Sequence, residues 1–322
     1  MKKMIHKLLY KLFTPIVNKL SKLENQIYHL SELKNNVEEN RILFAKSLIN
    51  DIRELKIYPS KLSDIEFKVF SQWGEDGIIQ FLISKVPIQN KIFVEFGVEN
   101  YLESNTRFLL MNNNWSGLIL DGDENNIQSI RGKKFYWRYD LKSEAVFITK
   151  DNINSVIKAS GIAGDIGLLS IDIDGNDYWV WDSIDVISPR IIICEYNSIF
   201  GFEEAVTIPY DKDFNTTEAH FSNLYFGASL KALCILAEKK GYVFVGCSSA
   251  GANAFFVRRD VASGVKPVSC KDGYAESKFR ESRDVHGRLT FTSGVNRIKV
   301  IENMPVVDII SGEEKLIKDL LL

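Results

Sequence analysis

No apolar stretch of this sequence approaches the roughly 20 residues that a membrane-spanning helix requires, so no spanning segment is expected. The basic amino terminus has no small-residue cleavage site, and Lys7, Lys11 and Lys19 interrupt its apolar residues, which argues against a secretory leader. Cysteine is scarce, and Cys194, Cys234, Cys247 and Cys270 form no CxxC or other metal-type spacing. Most of them stand in apolar surroundings, as buried free thiols do, and that suits a reducing cytoplasm. The four histidines supply no HxxxH or HxH pair. With a net charge of −2, no global field draws the chain to nucleic acid, and no such partner is expected. Also missing is the GxGxxG turn that cradles a pyrophosphate, which counts against an NAD-dependent or nucleotide-sugar enzyme of the Rossmann type.

What is present suffices for one large domain with an appendage: 322 residues, 45% hydrophobic and 25% charged. Residues 1–58 stand apart as a helical, coiled-coil-like extension. Every seventh residue from Leu9 is apolar (Leu9, Ile16, Leu23, Leu30, Val37, Phe44), and Leu12, Leu20, Ile27 and Leu33 widen the stripe. Pro15 is a defect at which this helix could divide in two. Three destinations are open for residues 5–50: a second copy or partner helix, the chain's own domain, or an anionic membrane surface. The last is suggested by Lys2, Lys3, Lys7, Lys11, Lys19 and Lys22, among which no acid intervenes. The expected location is cytoplasmic, with the inner membrane face as a peripheral site.

From about Ser60 strands and helices alternate. Lys91–Phe96, Gly117–Leu120, Lys134–Tyr139, Gly167–Asp172 and Arg190–Glu195 read as strands. The segments Glu103–Asn113, from Glu124, Ile153–Ser160, Tyr178–Ile184 and Gly227–Lys240 read as helices. Continuously apolar strands separated by helices make a parallel sheet covered on both faces. Tyr242–Cys247 and Asn253–Arg258 are joined too tightly for a parallel crossover, so one of them is antiparallel. A mostly parallel sheet with one antiparallel strand is the class I methyltransferase (Rossmann-like) arrangement. It is expected over residues 59–260, with a lid insertion at 197–226 and a C-terminal extension at 261–322.

Ligands of open α/β sheets bind beyond the carboxyl ends of the strands. Four of those ends carry acids here: Glu95, Asp121, Asp172 with Asp174, and Glu195. Single acids there can be helix caps; four in one crevice fit a donor-rich ligand or a metal better. Gly97 lets the backbone turn closely beneath a ligand. Asp121 stands where an acid accepts hydrogen bonds from a ribose. Since no phosphate cradle is present, a phosphate-free cofactor such as S-adenosylmethionine fits.

The run SQWGEDG (71–77), then FVEFGVEN, SNTRFLL, WSGLILDGD, SIDIDGND, EYN and KGYVFVGCSSAGANAFFVR resembles the FkbM-type S-adenosylmethionine-dependent methyltransferases over roughly residues 65–260. The branch it resembles most is bacterial and associated with surface polysaccharides. That resemblance implies cofactor contacts at Glu95 and Gly97, at Asp121 for the ribose, and at Asp140 for the adenine amine. Asn105 and Thr106, with the amides of a helix start, would take the methionine carboxylate, or simply cap the helix. The sequence departs from the usual motif by having Glu99-Asn100 where a second glycine falls.

Asp172-Ile173-Asp174-Gly175-Asn176-Asp177 begins like a calcium loop, but Ser183 occupies the twelfth position where Glu is needed. Three readings of this segment are open. Asp172, Asp174, Glu195 and Asn197 could hold Mg²⁺ and acidify an acceptor hydroxyl; Asp172 or Asp174 could act as a metal-free base; or the segment could be a turn and cap. His220 is a further base candidate. The aromatic and polar insertion suits a lid over a sugar. The expected activity is O-methylation of a sugar hydroxyl of a surface glycan or its precursor, and the alternative is a non-catalytic assembly protein built on a degenerate methyltransferase domain.

Overall fold

The computed structural model describes residues 2–55 and 58–320, with the side chains of 2–11 left aside. Residues 1–48 and 49–322 separate into two compact units. The first lies within helix α1 (Lys2–Glu54), which runs on through Pro15. The helix does not divide there: a proline removes one backbone hydrogen bond, and the turns on either side carry the helix on.

The second unit is built on a seven-stranded sheet. In chain order its parts are α2 (Glu75–Lys85), β1 (Ile92–Phe96), α3 (Arg107–Asn113), β2 (Ser116–Asp121), α4 (Glu124–Arg131) and β3 (Leu141–Ala145). Then come α5 (Ile153–Ala159), β4 (Gly164–Ile171), α6 (Asp177–Ser183), β5 (Ile187–Glu195), β6 (Val206–Thr207), α7 (Thr216–Ala219) and α8 (Leu230–Lys239). The chain ends with β7 (Tyr242–Cys247), β8 (Asn253–Arg258), α9 (Cys270–Gly273), α10 (Asn296–Val300), β9 (Pro305–Asp308) and β10 (Glu314–Leu316).

The strand order is β3-β2-β1-β4-β5-β8-β7. β1 to β5 are mutually parallel, and β8 runs antiparallel between β5 and β7. This is the class I methyltransferase fold. β4 and β5 are almost wholly buried because both faces of the sheet are covered. One apolar core joins the sheet to α5, α6 and α8 through Ile153, Ile157, Trp181, Leu233 and Leu236. The other joins it to α2, α3 and α4 through Ile78, Phe81, Leu109, Ile127 and Ile130.

Two expectations are corrected. Lys134–Tyr139 is not the third strand but a run of turns, whose Phe135 ring packs against Tyr101 and Arg107. The strand is Leu141–Ala145, an edge strand in which only alternate residues are buried, so its sequence carries little apolar signal. Helix α3 starts at Arg107 rather than Glu103, because Ser104, Asn105 and Thr106 turn their donors onto Glu95 instead.

A second sheet, β10-β9-β6, joins the insertion after β5 to the carboxyl-terminal segment. Its core draws Phe200, Val206, Ile208, Leu224 and Tyr225 from the insertion, and Ile301, Val306 and Ile317 from the tail. The extension at 261–322 thus supplies two strands, β9 and β10, and then a single 3₁₀ turn at Ile317–Asp319.

Candidate functional site

A cavity of about 520 Å³ opens at the carboxyl ends of β1, β4 and β5, beside the point where the strand order reverses. Glu95, Gly97, Asn105, Asp172, Asp174, Glu195 and Asn197 of the expected site line it; Thr106, Asp121, Asp140 and His220 do not. One carboxylate oxygen each from Asp172, Asp174 and Glu195 lies within 4.8 Å of the others.

Asp177 explains how the turn after β4 presents these acids. Its buried carboxylate accepts the amides of Ile173 and Gly175, both at 2.9 Å, and so closes the turn. Asp174 is left with φ +53°, a left-handed conformation that a non-glycine residue holds at a cost. Burial, reinforced by Asp174, Asp177, Glu95 and Glu75, pushes the Asp172 carboxyl well above its ordinary range. Burial and then Asp172, Asp174 and Asp177 do the same to Glu195. Solvent reaches Asp174, yet the protein crowded around it, with Glu99 and Glu281, raises it too. Three carboxylates this close require a proton or a cation among them.

The donor set fits a hard divalent cation. Oxygens on opposite sides of a Mg²⁺ or Ca²⁺ ion stand about 4–5 Å apart, so one ion can reach all three acids. Glu195 Oε2 is buried and has no hydrogen-bond partner, which is the state of a ligand atom awaiting one. Asn197, the fourth expected ligand, is corrected. Its Nδ2 donates to the carbonyls of Leu224 and Phe226, both at 3.0 Å, and its Oδ1 accepts from Ile199. It ties the insertion to the end of β5 instead of facing an ion.

The expected cofactor contacts are also redistributed. Glu95 accepts Ser104 Oγ at 2.6 Å, the Asn105 amide at 2.8 Å and the Thr106 amide and hydroxyl, so it shapes the following loop. The amides expected to take an external carboxylate are thus taken by an internal one. Gly97 is needed because a Cβ there would lie 1.6 Å from the Asp172 carbonyl oxygen; it lets the ends of β1 and β4 meet. Asp121 accepts the Glu99 amide at 2.7 Å through one oxygen, and Asp123 N and Asn126 Nδ2 through the other. Glu99, held at φ +46°, is an exposed acid on the cavity wall. Asp140 stands at the amino end of β3, exposed and far from the strand's cavity end, because the third strand begins after it. His220 pairs through Nδ1 with Ser222 Oγ at 2.7 Å, stacks near Phe221, and is held below its usual pKa by burial.

Several wall residues carried no sequence signal. The tail contributes Ser277, Phe279, Glu281 and Arg297, and Phe279 stacks on Trp73 at 6.0 Å with 13° between the rings. Asn253 lies opposite Glu195 in the β5–β8 register and donates to Glu75 at 3.1 Å, which leaves its Oδ1 unpartnered. Asn223 Oδ1 and Arg297 Nε are likewise buried without a partner, and both residues line the cavity. Three acceptors and one donor of cavity-lining residues are thus left without a partner in the protein. Of these residues, only Asn253 lay on a strand the sequence indicated; the pairing of that strand with β5 was not read from it.

No protein-family model and no curated protein matches the chain. Among solved structures, it is similar to the N-terminal domain of EvdMO1 with SAH bound, at 10% identity and a TM-score of 0.39, over 66% of this chain and 94% of that one. PKMT2 from Rickettsia typhi in complex with AdoHcy is similar at 9% identity and a TM-score of 0.35, over 63% of this chain and 54% of that one. TehB from Haemophilus influenzae follows at 12% identity and 0.31, over 55% and 59%. The strand order itself, not these distant likenesses, places the chain in the class I methyltransferase fold.

Proposed function

We propose that the chain is an S-adenosylmethionine-dependent O-methyltransferase that acts on a sugar hydroxyl of a bacterial surface glycan or its precursor, in the cytoplasm. The observation that carries this reading is the cluster of Asp172, Asp174 and Glu195 at the strand ends, set among the unpartnered acceptors of Glu195, Asn223 and Asn253. Glu195 Oε2 is left for the ion, and a polyhydroxylated acceptor would offer donors to Asn223 and Asn253. The FkbM-like motifs supply the glycan context.

S-adenosylmethionine supplies an activated methyl group, and the cavity side formed by Phe96, Gly97, Glu99, Ser104 and Asn105 is where this chain would hold it. Glu99 takes the role of accepting its hydroxyl or amine donors, while Asp121 fixes the backbone of Glu99. Mg²⁺, held by Asp172, Asp174 and Glu195, would supply the positive charge that acidifies the acceptor hydroxyl. Without the ion, Asp172, whose proton affinity burial has raised, would instead take up the hydroxyl proton as a general base. Asn253 and Asn223 orient the acceptor, and the ring pair Trp73–Phe279 offers it an apolar face at the wall. The insertion, pinned by Asn197, excludes water.

Isothermal titration of the full chain with S-adenosylhomocysteine, with and without Mg²⁺, tests the assignment. Micromolar binding supports it. The inward use of Glu95 and Asp121 favours one rival, a non-catalytic assembly protein. Absence of binding by folded protein in both conditions would establish that rival and end the methyltransferase reading.

A further inference from the structure

The apolar side of α1 between Phe13 and Leu30 faces water. Phe13, Ile16, Leu20, Leu23, Ile27 and Leu30 are each between 46% and 66% exposed. Their spacing alternates three and four residues without a break, which places Phe13, Leu20 and Ile27 at a positions and Ile16, Leu23 and Leu30 at d positions of a heptad. At about 1.5 Å per residue the seam is roughly 26 Å long. It ends where Lys34 and Arg41 occupy the next a positions.

The flanking charges choose the occupant. Lys19 falls at g and Glu24 at the following e, the pair that faces across a parallel, in-register dimer, once on each side of the seam. An antiparallel pairing centred on the same seam would set Lys19 near Gln26 and Glu24 near Val17, with no ion pair. An anionic lipid surface laid on the same seam would meet Glu24 at its e edge and, farther along the helix, Glu38. We infer that α1 docks on α1 of a second copy of this chain as a parallel, in-register coiled coil over residues 13–30.

Sedimentation velocity of the full chain tests this. The expected species has twice the 36.7 kDa mass of one chain. Leu23→Asp with Ile27→Asp puts charges in the seam and yields monomer, while the thermal transition of residues 49–322 stays in place. Lys19→Glu weakens dimerisation roughly tenfold, since an attraction on each side of the seam becomes a repulsion. Adding Glu24→Lys to that variant restores it. A wild-type monomer at all concentrations, including one that binds phosphatidylglycerol vesicles, overturns the inference. A dimer that Lys19→Glu leaves unweakened, or that the double reversal does not restore, overturns the parallel register.

Discussion

Neutralising Asp172 is predicted to stabilise the metal-free protein at high pH while destroying its response to divalent cations. The oxygens of Asp172, Asp174 and Glu195 lie within 4.8 Å of one another. At an effective dielectric of about 20, two full charges at that separation repel by about 3.5 kcal/mol. Solvent screens the Asp174 share, and a bound proton already relieves part of the rest. The expected net gain from Asp172→Asn at pH 8.5 is therefore about 2 kcal/mol, or roughly 5 °C in melting temperature for a domain of this size. The sign depends on pH. Asp172 and Glu195 are raised in the folded state, so the fold binds more protons than the unfolded chain between the ordinary carboxylate range and the raised values. Their contribution is present at low pH and is lost as pH rises through the folded values. Asp76 and Asp177, both pushed up to about 6 by burial, add to the same trend, so the comparison is between variant and wild type at each pH. As the pH falls and the cluster takes up protons, the gain from Asp172→Asn shrinks towards zero. Wild type should gain about 2.7 kcal/mol from Mg²⁺ at a hundred times its dissociation constant, and the variant little. Differential scanning fluorimetry at pH 5.5 and 8.5, with and without Mg²⁺, reads all four states. A lower melting temperature for Asp172→Asn at pH 8.5, or an equal gain at both pH values, would refute the reasoning.

Other substitutions separate the roles assigned above. Asp172→Asn should abolish methyl transfer, whereas His220→Ala should leave it within about threefold, because a side chain outside the cavity contributes little to transition-state binding; equal losses in an activity assay would restore His220 to the mechanism. Gly97→Ala should cost at least about 3 kcal/mol in urea unfolding, since its Cβ would force the β1 and β4 ends apart. Asp76→Ala strands the amides of Val69, Phe70 and Ser71, now bonded at 2.7–2.8 Å, and should cost about 3 kcal/mol or more by the same measurement. Asn197→Ala removes the bonds to Leu224, Phe226 and Ile199, and limited proteolysis should then cut within 198–226 before any other site; an unchanged digestion pattern would show that the small sheet alone holds the insertion.

The central strands were legible because both faces of the sheet are covered, so β1, β2, β4 and β5 announce themselves as apolar runs, and the β7–β8 hairpin followed from the shortness of its connection. The edge strand β3 was not, because burial of Leu141 and Ser143 alone leaves an unremarkable sequence, while the aromatics just before it serve as a cover for Tyr101 and Arg107. Displacing that strand carried Asp140 with it. The acids at the strand ends were found, but their allegiance was not. Glu95 and Asp121 look inward because the loop between β1 and α3 offers them a set of amides and hydroxyls, and no spacing rule counts donors that fold back from ten residues away. The wall residues Phe279, Glu281 and Arg297 were invisible for a simpler reason: they come from a polar tail held at the cavity by bonds to distant residues, Ser277 to Ser198, Lys278 to Ala250 and Arg283 to Ser222.

The pairing of β6 with β9 ties the completion of the second sheet to the order of synthesis. Val206 and Thr207 meet Asp308 and Val307, so the insertion gains its sheet partner only after some hundred further residues have been made. A nascent chain that has reached β8 has all seven strands of the main sheet and all three clustered acids, but neither the second sheet nor the Phe279 and Arg297 part of the wall. Contacts of such long sequence separation form slowly. Such a chain therefore exposes Phe200, Val206 and Leu224 that the tail would cover, and this is the stage at which a chaperone has apolar surface to hold.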